Sequence, residues 1–288
     1  MSIAAADPGA ASPSRRERSS MLPRIGSAAL LIALLLAVLL AGSLWVYAGL
    51  AVVLGAALIE YWSLTRLLQA PAPLWILFPL AFALLLRDRL PGWLSLEVIL
   101  AVATVGGLSA MVFLRDWRMS LLRWALAVGG SLYLGYLLGY YPALYLLRQP
   151  DPNHLGFGLV IFVLGAVWIG DTAAMVVGSR FGRHRFFPRI SPNKSVEGAL
   201  GGLLGSTLLF ALFAPLVNLW FPHNLVLGLL IGAFSQVGDL IESQLKRTAG
   251  VKDASHLIPG HGGILDRIDS VLPVAALVYY YLRLNHLT

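Results

Sequence analysis

Residues 238–270 read GDLIESQLKRTAGVKDASHLIPGHGGILDRIDS. Asp239, Glu242, Asp253, Asp266 and Asp269 stand within this stretch, five of the chain's fourteen acids, interleaved with Lys246, Arg247, Lys252 and Arg267. The acids sit at the ends of apolar runs, where an ionisable group is costly and usually has a task. At helical spacing Asp239, Ser243 and either Lys246 or Arg247 share one face. Asp266 and Asp269, three apart, share another at the start of the last helix, where the helix dipole favours acids in any case. Carboxylates brought from two helices, with no paired histidines, suit a hard oxygen-ligated cation. Mg2+ fits best, because it keeps waters and takes one or two carboxylates plus substrate phosphates. Lys246 and Arg247 suit phosphate oxygens, and the glycines around His261, Gly262 and Gly263 let backbone approach a ligand or form a plain turn.

A second constellation runs over residues 168–198, WIGDTAAMVVGSRFGRHRFFPRISPNKSVEG. Asp171 lies inside an apolar run, where a carboxylate needs a partner or an ion. Arg180, Arg183, Arg185, Arg189 and Lys194 follow it, and they would equally serve as an anchor on anionic lipid.

Helices must position these residues in a membrane. The chain has 288 residues, 58% hydrophobic and 12% charged, against roughly 25% charged in an ordinary soluble domain. The mean hydropathy of +0.78 excludes a conventional water-soluble globule and a disordered chain. The absence of cysteine excludes disulfides, thiolate metal sites and a cysteine nucleophile. A net charge of +7 would suit nucleic acid, but in so apolar a chain it reads as basic loops beside anionic lipid, so no nucleic-acid partner is expected. Spans of about 20 apolar residues centre near Leu34, Val53, Pro79, Val105, Gly130, Val167, Leu208, Leu230 and Leu277. The expected fold is therefore an all-α polytopic bundle of about nine transmembrane helices. Residues 1–24 read as a basic tail, 25–150 as N-terminal membrane helices and 151–288 as the catalytic membrane region. A cytoplasmic tail places loops 115–123, 179–195 and 246–267, the most basic ones, on the same inner side. Arg87-Asp88-Arg89 then falls outside, against the charge rule.

The motifs Ser243-x-x-Lys246-Arg247, Lys252-Asp253 and Gly260-His261-Gly262-Gly263-Ile264-Leu265-Asp266-Arg267-Ile268-Asp269 resemble the signature of the integral-membrane phosphatidate cytidylyltransferases, or CDP-diacylglycerol synthases. Upstream, Asp171-Thr-x-Ala, Gly178-x-x-Phe-Gly, Ser191-Pro-x-Lys194 and Glu197-Gly198 are similar in order and spacing. Met175 and Ser195 depart from the residues usual at their positions. The resemblance covers roughly residues 165–285. It implies transfer of CMP from CTP to phosphatidic acid with release of pyrophosphate, an all-helical membrane fold, a homodimer and a paired Mg2+–K+ centre. It carries the metal-binding aspartates to Asp239 and Asp266 and phosphate binding to Ser243, Lys246 and Arg247, with Asp171 and Lys194 on further motif positions. The lipid phosphate is already largely a dianion near neutral pH, so His261 is not required as a base. Related CTP-dependent enzymes acting on polyprenol or archaeal-type lipids share this logic. An ion-coupled transporter would leave the basic residues unexplained.

Overall fold

The computed structural model describes residues 29–113, 117–147, 155–255 and 262–287. The basic tail and His261 lie outside them. The elements are α1 (Ala29–Leu40), α2 (Ser43–Leu67), α3 (Leu74–Leu85), α4 (Leu96–Val112), α5 (Arg118–Leu146), α6 (Leu155–Phe181), β1 (Arg185–Phe187), β2 (Ser191–Ser195), α7 (Val196–Val217), α8 (His223–Thr248), α9 (Leu265–Ile268) and α10 (Leu272–Leu284). Each of the nine span centres falls in a helix, but among the described residues only five helices, α2, α5, α6, α7 and α8, are long and apolar enough to cross a membrane. The α3 and α10 helices have 12 and 13 residues. At about 1.5 Å per residue neither reaches the ~30 Å of a hydrocarbon layer.

Two further expectations change. The basic segment after α6 is an antiparallel hairpin, β1 with β2, pairing Arg185 with Ser195 and Phe187 with Ser191. The chain is thus helical apart from this small ribbon. Asp266 and Asp269 do not open the last helix. They belong to the short α9 and the turn after it, because Pro273 sits in the first turn of α10, where a missing N–H costs nothing.

Small residues decide the closest packing. Gly198, Gly201, Gly202 and Gly205 lie along α7 and face Gly170, Ala173, Ala174, Val177 and Gly178 of α6, with room for little more than hydrogen between the backbones. Ser206 Oγ crosses the same seam to the Ala166 carbonyl at 2.8 Å. The two halves of the chain share one core. Tyr141 Oη on α5 donates to the Val271 carbonyl at 2.8 Å, and Leu54, Leu84, Val163, Ile231 and Val274 are all inaccessible.

Contacts sort the helix ends into two layers. Arg89 reaches Ser43 Oγ at the start of α2, Tyr140 meets Tyr280, and His223 meets Tyr281, all at one end. The hairpin, the end of α8 and residues 249–255 and 262–271 gather at the other. Arg87 is half-buried at the first end, 4.2 Å and 4.8 Å from the ring centres of Tyr140 and Tyr136, and it donates to the Tyr136 carbonyl at 3.1 Å. That packing accounts for a basic turn on the side where counted charge does not expect one.

Candidate functional site

The site is assembled from α6, the hairpin, α8 and the segment leading into α10. Glu197, in the first turn of α7, accepts the Arg183 and His184 amides at 3.0 and 3.3 Å and lies 2.6 Å from His184 Nδ1. Ser195 Oγ caps α7 by accepting the Gly198 N–H at 3.1 Å. These bonds fix the hairpin over the α6–α7 seam and send Lys194 toward α8, where its Nζ lies 2.5 Å from Asp239 Oδ2. Ser243 Oγ donates to the other Asp239 oxygen at 3.2 Å, as the one-face reading of α8 requires.

Lys246 forms a second ion pair, one turn along α8. Its Nζ lies 2.6 Å from Glu242 Oε2 and 2.5 Å from Asp266 Oδ1. Glu242 is wholly inaccessible, so Lys246 is the counter-charge that makes its burial tolerable. Asp266 Oδ2 accepts the Gly263 amide at 2.9 Å and the Ala254 amide at 3.3 Å. Burial works to raise the Asp266 carboxyl, but the Glu242 carboxyl, the Lys246 ammonium and the Gly263 N–H outweigh it and hold it below its usual range.

Both ion pairs face one open cavity of about 1110 Å3. Asp171 enters it from α6, Lys194 from the hairpin, Asp239 and Lys246 from α8, and Asp266 and Asp269 from the segment before α10. Val167, Trp168 and Leu240 make part of its wall apolar. Asp269 is buried, and burial together with the neighbouring Asp239 and Asp171 carboxylates pushes it up to about 7. Mutual repulsion of that kind, among oxygen donors only, is the setting a hard cation relieves. Among the described residues no three Asp, Glu or His side chains close into a ready-made metal cage. Asp239, Asp266 and Asp269 present carboxylate oxygens to this cavity, the donor type that a hard cation takes.

Of the residues singled out in the sequence, Asp171, Lys194, Asp239, Lys246, Gly262 and Asp266 line the cavity. Ser243 acts on Asp239. Arg247 turns to the hairpin instead, with Nε 3.4 Å from the Ile190 carbonyl and Nη1 3.3 Å from the Val251 carbonyl, so here it ties α8 to its neighbours. The cationic partner of Asp239 is Lys194, a residue 45 positions earlier that helical spacing could not connect. Gly263 faces the Glu60 carboxylate. Sequence reasoning passed over Glu242 as Lys246's partner and over Glu60 altogether. Glu60 carried a usable signal, being the one acid in the 25 residues of α2.

The model of a family described as the cytidylyltransferase family matches residues 22–285. The chain is 37% identical over 156 residues to the phosphatidate cytidylyltransferase of Bacillus subtilis, covering 54% of this chain and 56% of that protein. It is 44% identical over 150 residues to the phosphatidate cytidylyltransferase of a Synechocystis strain, covering 51% and 50%. With the enzyme of the same name from Brucella suis it shares 38% identity over 206 residues, covering 67% and 73%. The alignments thus span about half the length of the first two relatives and more of the third.

Proposed function

Since the chain belongs to the cytidylyltransferase family, we propose that it transfers the cytidylyl group of CTP to phosphatidic acid, giving CDP-diacylglycerol and pyrophosphate. The observation that carries this reading is the pair of lysine–carboxylate contacts, Lys194–Asp239 and Lys246–Asp266, facing one open cavity among helices long enough to span a membrane. A two-tailed lipid brings its headgroup to such a place from the bilayer, while the nucleotide enters from water.

In the reaction an oxygen of the lipid phosphate attacks the α-phosphorus of CTP. A new P–O bond forms, the bond to the bridging oxygen of the β-phosphate breaks, and pyrophosphate leaves with that electron pair. The attacking group is already largely a dianion, with a second pKa of about 6, so no base has to remove a proton. The obstacle is the meeting of two anions, and positioning with charge neutralisation overcomes it. Lys194 and Lys246 exchange their carboxylate partners for phosphate oxygens as substrate arrives. Ser243 orients Asp239, Gly262 offers close backbone approach, and Asp171 sets the charge on the α6 wall. Asp239 and Asp266 would hold Mg2+, which when bound supplies electrophilic activation of the phosphate and neutralises the leaving group. A K+ beside it, catalytic and phosphate-binding roles for Arg247, a contact from His261 and a homodimer come with the same reading. So do a cavity open to the cytoplasm and nine membrane helices, of which α3 and α10 are too short to cross the hydrocarbon layer on their own.

The test is to incubate purified protein in lipid nanodiscs with CTP labelled in the cytosine, Mg2+ and phosphatidic acid. Label is expected in the lipid phase. Label that stays in water sinks the proposal. Cytidine transferred only when an archaeal-type lipid replaces phosphatidic acid, or phosphate without cytidine passing to polyprenol, points to the related enzymes.

A further inference from the structure

Glu60 has no part in the reaction as described. It lies on α2, outside the residues 165–285 that carry the recognisable motifs, and it is 3% exposed. A carboxylate so placed is costly unless donors surround it. It has three, all from a segment about two hundred positions later. Oε1 accepts Ser255 Oγ at 2.5 Å and the Ile264 amide at 3.0 Å, and Oε2 accepts the Leu265 amide at 2.8 Å. The amide just before these, that of Gly263, goes to Asp266 Oδ2. Three successive amides, 263 to 265, are thus divided between Glu60 and Asp266, and Asp266 is the residue that pairs with Lys246. Gly263 is part of the same fit, because a Cβ there would lie 2.6 Å from Glu60 Oε2.

We infer that Glu60 is a positioning residue for the proposed transfer: it holds the backbone around Asp266 so that the Asp266 carboxylate meets Lys246 at the cavity wall. It touches no substrate. It acts through the backbone of residues 263–265, and it makes the catalytic segment depend on a helix from the other half of the chain. The inference rests on the cytidylyltransferase reading, so the wild-type protein must first show label transfer. Silence there refutes the function and leaves Glu60 to be judged by amide exchange alone.

The experiment pairs steady-state kinetics with hydrogen–deuterium exchange of peptides covering residues 262–268, both in nanodiscs. In Glu60→Gln an amide NH2 meets an N–H donor in place of one oxygen. The expected result is kcat lowered about 10–100-fold, the range for residues that orient a site's ligands, with KM for CTP changed less than about threefold and exchange at 263–265 accelerated. Wild-type kcat, a change confined to KM, or unchanged exchange overturns the inference. Gly263→Ala, which drives a methyl group into Glu60, should lower kcat similarly. Combined with Glu60→Ala it should add less than about twofold to the loss from Glu60→Ala alone, since the two report one contact. Fully additive losses overturn the inference. If Glu60→Gln does not fold, Ser255→Ala carries the test, because it removes one donor and leaves the carboxylate in place. A kcat drop of about threefold or more supports the inference, and wild-type kcat overturns it.

Discussion

The two ends of the bundle handle buried positive charge in opposite ways. At one end Arg87 lies between the faces of Tyr136 and Tyr140, bonds to the Leu84 and Tyr136 carbonyls and has the neighbouring Asp88 carboxylate 3.7 Å away, while the hydroxyls of Tyr136, Tyr140 and Tyr280 bond among themselves. Those contacts close on the protein. At the other end, among the described residues, Lys194 and Lys246 are held by carboxylates, and both face the cavity. Along α2 the two ends are about 25 Å apart, from Ser43 to Glu60 at ~1.5 Å per residue. A cation stabilised by ring faces and backbone carbonyls has nothing to offer an incoming anion. A cation at the cavity wall, held there by side-chain carboxylates, can change partners. The comparison separates charge that builds the fold from charge that serves chemistry.

Four perturbations would break or sharpen that distinction. Lys246→Ala should do the most damage, since it removes a phosphate-binding cation and strands Glu242 in the core. Loss of transfer and destabilisation of about 3–5 kcal/mol are expected. Adding Glu242→Gln should restore part of the unfolding temperature and none of the transfer. An unfolding temperature unmoved in Lys246→Ala would show that the pair does not stabilise the fold.

Asp239→Asn and Asp266→Asn come next. Each should reduce label transfer by about 10²–10³-fold, the cost of losing one well-placed electrostatic group. The protein should still be recovered from the membrane fraction in wild-type amount. Excess chelator should stop the wild-type enzyme in the same assay. A variant that turns over at wild-type rate at modest Mg2+ would remove its residue from the cation site.

Arg87→Ala should behave the other way round. Losing the contacts to two rings should lower stability by about 1–2 kcal/mol, with the transfer rate per folded molecule within about twofold of wild type. A tenfold fall in rate at unchanged stability would show that the two ends are coupled.

The smallest effect concerns pH. Asp269 has a folded-state pKa near 7 against an ordinary 3.8, so the folded protein holds this proton longer than the unfolded chain does. Below the ordinary value its contribution to stability is fully present. As pH rises toward 7 stability falls, and above that the loss is complete. The unfolding temperature, measured without divalent cation, should therefore decline from about pH 4 to 7, and Asp269→Asn should flatten the decline. Equal slopes in the two proteins would mean that another group is responsible.

Local pattern and chemistry were enough for part of this. Apolar runs mark the centres of nine of the ten described helices, all but the short α9, because burying a helix in lipid requires apolar residues throughout its length. The stretch 238–270 declares itself by its density of charge, and the i, i+4 contact of Ser243 with Asp239 follows from helical spacing. The glycine run of α7 announces a close seam without saying which helix shares it.

The tertiary structure alone decided the partnerships. Lys194 with Asp239, Lys246 with both Glu242 and Asp266, and Glu60 with the amides before Asp266 join residues on different elements or choose between faces of one helix. Periodicity relates a residue only to neighbours within a turn or two. Which distant carboxylate meets which donor depends on how the helices cross, and that is set by the packing of the whole core.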